Sequence, residues 1–457
     1  VVSYASGSEN DDVYASVSYG PVEDEGLPYL AAGRTAQYSQ LYYWKKDLWE
    51  PKVGKPGLTA AEIAKITDTS SWACDTQAQI QSPACRKVDA ENVTPGLGLY
   101  DNPAEHYDSP FIHTVILTGL QDKRTYKYKV WNDNRVFTFT MTDQGLTFPY
   151  KLGLASDIGQ TAASNATVSL LKVLDPVVVL VSGDLSYADG YYPRWDTYAR
   201  LVERLGGHTP MMACPGNHEV GDGEQYASYN ARYPMPAAPS GSKSNLYWSR
   251  DMGPVHVIAL NSYSGFAPSS LQYKWLVKDL KRLDRKRTPW LFVLMHVPWY
   301  NSNFGHWGEG ELMKSSMEPL LYEAGANVII SGHVHSFERT FPMYQNKTNL
   351  CGPTYINIGD AGNREGSYSM WMPGVNGEIR PAWTAFREGS FGAGELMIRN
   401  ETHVEFYWHR HSCFDDASVN HLNFSISCTT SDDTSLDGIK NSDSAWIVRP
   451  ADCDNQW

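Results

Sequence analysis

The chain divides into two regions according to the period with which apolar residues recur. Up to about residue 147, apolar and polar residues alternate in short runs, at 37–44, 113–117 and 126–131, with Gly, Pro and Asn-Asp turns between them. Alternation with a period of two residues is typical of strands that bury one face. We therefore predict a small all-β sandwich domain over residues 1–147.

A long polar segment, residues 51–108, interrupts this first domain. It contains Cys74 and Cys85, and one stretch of it, residues 59–66, is predicted as a helix. The sequence assigns no function to this insertion.

After about residue 148, apolar strands alternate with helical stretches. The predicted strands lie at 177–181, 255–260, 290–295 and 328–330, and the predicted helices lie at 198–205, 270–283 and 312–324. Alternation of this kind indicates a layered α/β domain with buried sheets. We assign this second domain to residues 148–457.

Length and charge limit the classes of function. At 457 residues the chain exceeds the size of one core, so two domains are expected. A formal net charge of −13 and a pI of about 5.5, without any basic stripe, argue against nucleic acid or an anionic membrane as partner. No apolar run reaches the length of about 20 residues that a membrane-spanning helix needs, and nothing at Val1 resembles a signal peptide. We expect a soluble protein in a processed or trimmed form.

Glycosylation sequons and cysteines indicate a secretory route. Five Asn-x-Ser/Thr sequons occur, at Asn92, Asn165, Asn346, Asn400 and Asn423. The cysteine positions suggest three disulfides while the connectivity stays open: Cys74 with Cys85, Cys351 with Cys453, and Cys413 with Cys428. Cys214 is then unpaired, and its apolar surroundings predict a buried thiol. Because disulfides and N-glycans are acquired in the secretory pathway, we expect a secreted, vacuolar or cell-wall glycoprotein.

Five short segments place potential metal ligands directly after apolar runs, where a strand ends and a loop begins. They are residues 156–159, 183–187, 216–219, 293–296 and 332–335. Each segment alone is more common as an ordinary turn or strand end, but all five occur here, and each puts a polar group where burial would otherwise be unfavourable. Together they predict a site for two adjacent metal ions with seven ligands: Asp157, Asp184, Tyr187, Asn217, His296, His333 and His335.

The ligand types predict two different ions. Two cations a few ångströms apart repel each other, so a shared carboxylate is needed between them, and Asp184 is the best candidate. The phenol of Tyr187 ionises readily only beside a strongly acidic metal, which favours ferric iron at the first position. Asn217 and imidazoles carry little negative charge, so the second position suits a divalent ion.

The five segments resemble the signature of the purple acid phosphatases, within the metallophosphoesterase superfamily. The matching residues are Asp157-x-Gly159, Gly183-Asp184-x-x-Tyr187, Gly216-Asn217-His218-Glu219, Val293-x-x-His296 and Gly332-His333-x-His335. The neighbouring sequences at 296–302, 332–339 and 359–366 are similar to those of the large plant-type members. The resemblance covers nearly everything after Phe148 and, more weakly, the residues before it.

The resemblance implies both a fold and a reaction. The fold would be a four-layer αββα metallophosphoesterase sandwich, preceded by a small fibronectin-like β-sandwich. The reaction would be hydrolysis of phosphate monoesters in acid by a metal-bound hydroxide at an Fe(III)–M(II) centre, in which M is zinc, manganese or iron. The substrate would be a small phosphomonoester, with phytate left open, and the protein would be a monomer or a homodimer.

The resemblance also implies roles for individual residues. The ferric ion would be bound by Asp157, Asp184, Tyr187 and His335, and the divalent ion by Asp184, Asn217, His296 and His333. Three residues would act in catalysis: His218, His306 and Glu309. Four would bind the substrate: Asn217, His218, His306 and Arg364.

Two positions depart from the family pattern. Ser156 stands where a glycine usually precedes the first aspartate, and Gly305 stands where plant members often have a histidine before His306. We expect the pocket for the leaving group to differ for that reason.

Other functions stay open at this point. A nucleotide phosphodiesterase or pyrophosphatase of the same superfamily would use similar ligands. A protein serine/threonine phosphatase usually carries Gly-Asp-x-x-Asp-Arg-Gly in the second segment, whereas Tyr187-Ala188-Asp189-Gly190 stands here. A secreted adhesion or carbohydrate-binding glycoprotein is disfavoured because all seven ligand types are retained.

Overall fold

The computed structural model of the protein describes residues 1–6, 15–41, 106–375, 378, 380–411, 439–450 and 453. Several sequence-based predictions lie outside these residues: the helix at 59–66, the pairs Cys74–Cys85 and Cys413–Cys428, and the sequons at Asn92 and Asn423.

Short antiparallel strands make up the N-terminal region. They are β1 (Val2–Ser6), β2 (Ser16–Pro21), β3 (Tyr29–Ala32), β4 (Arg34–Ala36), β5 (Ser39–Leu41), β6 (His106–Asp108), β7 (Phe111–Val115), β8 (Thr125–Val130) and β9 (Phe137–Thr140). Within the described residues they form a sheet in the order β1-β7-β4, a sheet in the order β3-β2-β8-β9, and the pair β5-β6. A separate apolar core, which includes Val17, Val115 and Tyr126, lies among them. The predicted small all-β region is therefore confirmed, while its boundary at residue 147 stays a prediction.

Two larger mixed sheets follow. Their strands are β10 (Tyr150–Ala155), β11 (Val178–Val181), β12 (Met211–Ala213), β13 (Trp248–Met252), β14 (Val255–Ala259), β15 (Trp290–Leu294), β16 (Val328–Ser331), β17 (Phe337–Thr340), β20 (Thr354–Ile358), β21 (Thr384–Glu388), β22 (Gly392–Ile398), β23 (His403–His411) and β24 (Ile439–Val448), with the hairpin β18 (Met343–Tyr344) and β19 (Lys347–Thr348) beside them. The first sheet has the order β12-β11-β10-β22-β23-β24, and the second has the order β13-β14-β15-β16-β20-β17-β21.

Helices occupy the connections between these strands. They are α1 (Ala162–Leu174), α2 (Arg194–Gly206), α3 (Ala227–Arg232), α4 (Leu271–Leu280) and α5 (Glu311–Glu323). The three helices predicted from apolar periodicity correspond to α2, α4 and α5. Neither α1 nor the short α3 was predicted; α1 begins where the side chain of Thr161 accepts hydrogen bonds from the backbone N–H groups of Ala163 and Ser164.

The layers follow from which face of each strand is buried against which neighbour. Leu180 of β11 and Phe292 of β15 lie in one core between the two sheets. Val179 of β11 instead packs with the first two helices, and Val293 of β15 packs with α4 and α5. Strands covered on both faces are apolar throughout rather than alternating, as these are. The predicted four-layer αββα arrangement is therefore confirmed.

Polar contacts join the N-terminal strands to the larger domain. Arg232 donates to the hydroxyl of Tyr38 at 2.8 Å and to that of Tyr107 at 2.7 Å, and it pairs with Asp196. Both tyrosines belong to the N-terminal region, so this arginine fixes the β5-β6 pair against α2 and α3.

The cysteine predictions that can be examined are confirmed. Cys351 and Cys453 form a disulfide, and Cys214 is a free, buried thiol. In the described part of the chain, no helix is long and apolar enough to cross a membrane.

Candidate metal centre

The predicted ligands lie at the ends of five strands. β10, β11 and β12 run parallel to one another in the first sheet, and β15 and β16 run parallel in the second. The carboxyl ends of parallel strands meet at one edge of a sheet, and ligands bind in the crevice outside that edge. Loops that leave these five ends therefore converge between the two sheets.

Backbone conformation at these strand ends is unusual. Four of the predicted ligands have positive φ angles: Asp157 (58°), Asp184 (52°), Tyr187 (51°) and His333 (70°). Such angles are uncommon for residues other than glycine, and they cluster at functional sites where the surroundings enforce them. The loops therefore aim these side chains at a cost in backbone energy.

Two glycines let the loops approach each other. A Cβ atom on Gly183 would lie 2.7 Å from Nδ1 of His296, and one on Gly332 would overlap the side chains of Ser156 and Asp157. Distances this short do not occur between real atoms of this kind, so a side chain at either position would push ligand loops apart.

Three of the seven residues form a first cluster. The hydroxyl of Tyr187 donates to Oδ1 of Asp157 at 3.0 Å and lies 3.0 Å from Nε2 of His335, which is itself 3.4 Å from Asp157 Oδ1. All three side chains are buried. Oδ2 of Asp157 accepts the backbone N–H of His333, so the other oxygen is fixed toward the cluster.

The remaining four residues form a second cluster beside the first. Nε2 of His296 lies 3.0 Å from Oδ1 of Asn217 and 3.1 Å from Oδ2 of Asp184. Donor atoms of Asp184, His296 and His333 all lie within 4.8 Å of one another. Nδ1 of His296 is held by the backbone carbonyl of Ser182 at 2.7 Å, which turns Nε2 toward the cluster.

The two oxygens of the Asp184 carboxylate have different surroundings. Oδ1 accepts the backbone N–H of His218 at 2.9 Å, whereas Oδ2 is buried and lies 3.1 Å from Nε2 of His296 without a well-directed hydrogen bond from the described residues. A buried carboxylate oxygen with no well-directed hydrogen bond is unfavourable unless it binds a cation. Together with the hard oxygen and nitrogen donors around it, this oxygen fits a site for metal ions.

Burial and neighbouring charges shift the pKa values of the clustered side chains, some upward and some downward. Burial alone would raise the pKa of Asp184, but the positive charges of His296 and His218 outweigh it and hold the pKa well below its usual range. Burial likewise opposes ionisation of His296, yet the charge of Asp184 raises its pKa to about 9. His333 lacks a comparable gain, and burial lowers its pKa to about 4. The pKa of Tyr187 is raised, first by burial and then by Asp157 and Asp184.

His218 lies at the edge of the cluster, next to Asn217 in a short 3₁₀ turn, Asn217–Glu219. Its Nε2 is 3.8 Å from Oδ2 of Asp184, and its Nδ1 is hydrogen-bonded to the carboxylate of Asp189. Arg364, which the sequence predicts as a substrate-binding residue, is near the site but also pairs with Asp189, and it donates to the carbonyl of Tyr187 at 2.7 Å.

His306 and Glu309 lie on the other side of the cluster. Glu309 links two imidazoles, because Oε1 is 2.9 Å from Nδ1 of His306 and Oε2 is 2.8 Å from Nε2 of His333. These hydrogen bonds lower the pKa of Glu309. The rings of His306 and His333 are 3.7 Å apart, so the structure brings both predicted residues to the centre.

Further residues contribute that the sequence analysis did not assign. Glu219 accepts the backbone N–H groups of Asp184, Leu185 and Gly216 at 2.8–2.9 Å. Asp189, Tyr263, Glu365 and Tyr368 also border the site. Glu219 stands inside a recognised segment and Asp189 follows another by two residues, which was a usable signal. Nothing near Tyr263 or Tyr368 in the sequence indicated a role.

Two family models match the chain. The model described as calcineurin-like phosphoesterase matches residues 150–337, and the model described as iron/zinc purple acid phosphatase-like protein C matches residues 352–420. The first match includes all seven predicted ligands.

Curated proteins and a solved structure are similar over most of their length. The chain is 42% identical over 320 residues to the probable purple acid phosphatase 20 of Arabidopsis thaliana, covering 68% of this chain and 73% of the relative. It is 38% identical over 341 residues to the purple acid phosphatase 1 of Ipomoea batatas, covering 69% and 70%. The structure of a purple acid phosphatase from yellow lupin (Lupinus luteus) seeds matches with a TM-score of 0.69 at 21% identity, covering 99% of this chain and 72% of that one, which supports the fold.

Proposed function

Because the chain belongs to the purple acid phosphatases, which are phosphoric monoester hydrolases with a dinuclear metal centre, we propose that it hydrolyses small phosphate monoesters at an Fe(III)–M(II) site. The observation that carries the proposal is that the seven potential ligands lie in two buried clusters, one of Asp157, Tyr187 and His335 and one that includes Asp184, Asn217, His296 and His333. The alternative is activity toward nucleotide diesters, and a comparison of monoester and diester substrates distinguishes the two.

We propose the following ligand sets. The ferric ion is held by Asp157, Asp184, Tyr187 and His335, and the divalent ion, which is zinc, manganese or iron, is held by Asp184, Asn217, His296 and His333. When bound, such ions supply Lewis acidity that activates water and neutralises charge on the phosphoryl group.

His218 contacts the phosphoryl group in this proposal. Its hydrogen bond to Asp189 orients the ring, and the charge of Asp184 raises its pKa although burial opposes this. A protonated imidazole in this position stabilises the charge that develops on phosphoryl oxygens. Arg364 acts indirectly, because it holds Asp189 in place.

His306 faces the leaving group in this proposal. Oε1 of Glu309 is hydrogen-bonded to Nδ1 of His306 at 2.9 Å, which keeps the ring oriented. In this position Nε2 of His306 can pass a proton to the leaving oxygen. The side chain of His306 is about one-third exposed, as a residue at the mouth of a site must be.

Phytate, which the sequence left open, is expected to be a weak substrate. A sixfold phosphorylated ligand needs unpaired cations around the site, yet Arg364 is occupied by Asp189. Glu309 and Glu365 add negative charge at the same mouth. We expect small monoesters to be preferred for this reason.

We also propose that the protein passes through the secretory pathway. The disulfide Cys351–Cys453 supports an oxidising compartment. Asn346 and Asn400 are exposed in turns, where an N-glycan can be added, whereas Asn165 is half-buried in the first turn of α1. We expect glycans at the first two positions and little at the third.

The decisive experiment combines metal analysis, spectroscopy and a substrate screen. The purified protein should contain close to two metal ions, one of them iron, and should show a visible charge-transfer band that Tyr187→Phe removes. It should hydrolyse phosphomonoesters in acid faster than diesters or phytate. A colourless iron-loaded protein whose spectrum does not change in the variant would refute the ferric-tyrosinate assignment, and activity on diesters alone would favour the alternative.

A further inference from the structure

Two loops form the leaving-group side of the site. Residues 302–306 carry His306, and residues 368–372 pair with them: the backbone N–H of Phe304 donates to the carbonyl of Met370, and that of Met372 donates to the carbonyl of Ser302. The second loop is tied to the metal cluster, because the N–H of Tyr368 donates to the carbonyl of His335 at 2.7 Å. The two loops therefore hold a fixed position relative to the ligands.

The ring of Tyr368 occupies the space beside Gly305. Its centroid lies 4.5 Å from that of His335 and 6.0 Å from that of His306. A Cβ atom on Gly305 would be 2.7 Å from Cδ2 of Tyr368. Gly305 has no positive φ angle, so the restriction at this position is one of space and not of backbone conformation. The family's usual histidine is thus replaced by a glycine whose vacant side-chain position is filled by a phenol ring from the other loop.

Three exposed apolar side chains lie in these two loops or directly next to them. Phe304 is 57% exposed, Trp307 is 64% exposed and Met370 is 71% exposed. Phe304 and Met370 belong to these two loops and are joined by a backbone hydrogen bond, and Trp307 directly follows His306 along the chain. Large exposed apolar groups beside a site are unfavourable in water and are typical of surfaces that bind a ligand.

We propose that Tyr368 and Trp307 form an aromatic wall that selects phosphate monoesters whose leaving group is a flat aromatic ring. The inference rests on the proposed function, since it places the leaving group beside His306. A ring in that place contacts the face of Tyr368 and, further out, Trp307, whereas the alkyl or polyol part of an aliphatic ester gains much less from such contacts.

Binding of phosphonates tests the wall without requiring turnover. The metal-loaded protein is titrated calorimetrically with methylphosphonate and phenylphosphonate, which share one head group. Wild-type protein should bind phenylphosphonate about 3- to 10-fold more tightly than methylphosphonate. The ratio of the two affinities should fall toward 1 in Tyr368→Ala. It should also fall in Trp307→Ala, which removes an exposed side chain and leaves the core intact.

Three further variants separate the possible explanations. Tyr368→Phe keeps the ring and should keep the ratio. Gly305→Ala should lower it, because the added Cβ displaces Tyr368. Trp446→Ala removes an equally exposed indole on β24 and should change nothing.

The outcomes distinguish this inference from the proposed function. A wild-type ratio near 1, or a ratio unchanged in both Tyr368→Ala and Trp307→Ala, overturns the aromatic wall even if the enzyme hydrolyses phosphate monoesters. Loss of methylphosphonate binding in Tyr368→Ala would mean that this substitution damages the metal centre. In that case the affinity ratio of Trp307→Ala decides whether the aromatic wall exists. Absence of any phosphomonoesterase activity in the metal-loaded protein contradicts the proposed function, whatever the binding ratio.

Discussion

At the scale of single residues, the two oxygens of Asp184 have different surroundings. Oδ1 is fixed by the backbone N–H of His218, while Oδ2 is buried 3.1 Å from Nε2 of His296. His218 lies instead at the edge of the centre. Its ring is hydrogen-bonded to Asp189, and its Nε2 is 3.8 Å from the carboxylate of Asp184. This difference agrees with the proposal that Asp184 holds ions and that His218 meets the substrate.

Substitutions of these two residues should therefore separate metal content from rate. Asp184→Asn removes the shared negative charge, so most of the bound metal and nearly all activity should be lost. His218→Ala should retain its metal and lower kcat by about 10²- to 10⁴-fold. Elemental analysis and initial rates on the same preparations provide the measurement. A His218→Ala protein stripped of metal would contradict the assigned role.

At the scale of elements, one buried carboxylate joins the loops that follow β11 and β12. Glu219 belongs to the second loop and accepts two N–H groups of the first, from Asp184 and Leu185, as well as that of Gly216 in its own loop. The positive φ of Asp184 is maintained partly by this attachment. The position of Asp184 is therefore set partly by an acid that does not belong to the predicted ligands.

Truncation of this side chain should destabilise the domain. Glu219→Ala leaves three buried N–H groups without an acceptor, and unpaired buried donors are costly, so we expect about 3 kcal/mol lower free energy of unfolding and weaker metal binding. Denaturant titration and metal titration measure the two effects. Glu219→Gln is the matched control, because its amide oxygen still accepts, and its loss should be smaller. Equal effects of the two substitutions would argue against the hydrogen bonds as the cause.

At the scale of the whole molecule, a buried histidine, His256, joins helix α4 to the second sheet. His256 of β14 bonds to Asp251 of β13 at 2.6 Å and to Asp279 of α4 at 2.9 Å. Arg282 and Arg287 flank the outer sides of these carboxylates. Burial disfavours the imidazolium, but the two acids outweigh this and raise the pKa of His256 to about 9.

This pKa predicts how stability depends on pH. The folded pKa lies above the unfolded value of about 6.5, so the stabilisation is fully present below pH 6.5 and is lost as the pH rises through 9. Its size is at most about 3 kcal/mol by the linkage relation. His256→Gln should be less stable than wild type at pH 5, and the difference should shrink by pH 9.5. Denaturant midpoints across this range check the prediction, and a difference independent of pH would contradict it.

The strands and helices that could be predicted from the sequence are those whose apolar pattern is set by their own residues. Apolar runs identified β11, β14, β15 and β16 because strands buried on both faces must be apolar throughout. Period and length identified α2, α4 and α5 in the same way. α1 was missed because its small and polar residues, such as Asn165 and Thr167, weaken the apolar periodicity, and tertiary packing on β22 and β23 decides its place.

The sequence by itself determined the seven candidate ligands, since only oxygen and nitrogen donors at strand ends suit such a centre, and it determined the family resemblance. Only the tertiary structure decided which further residues hold these ligands in place and border the site. Glu219 and Asp189 act through hydrogen bonds across loops, Arg364 proved to be paired with Asp189, and Tyr368 fills the space beside Gly305 from 63 positions away. Spacing along a chain records which side chains leave a strand end, whereas contacts between separate loops depend on how two sheets pack face to face.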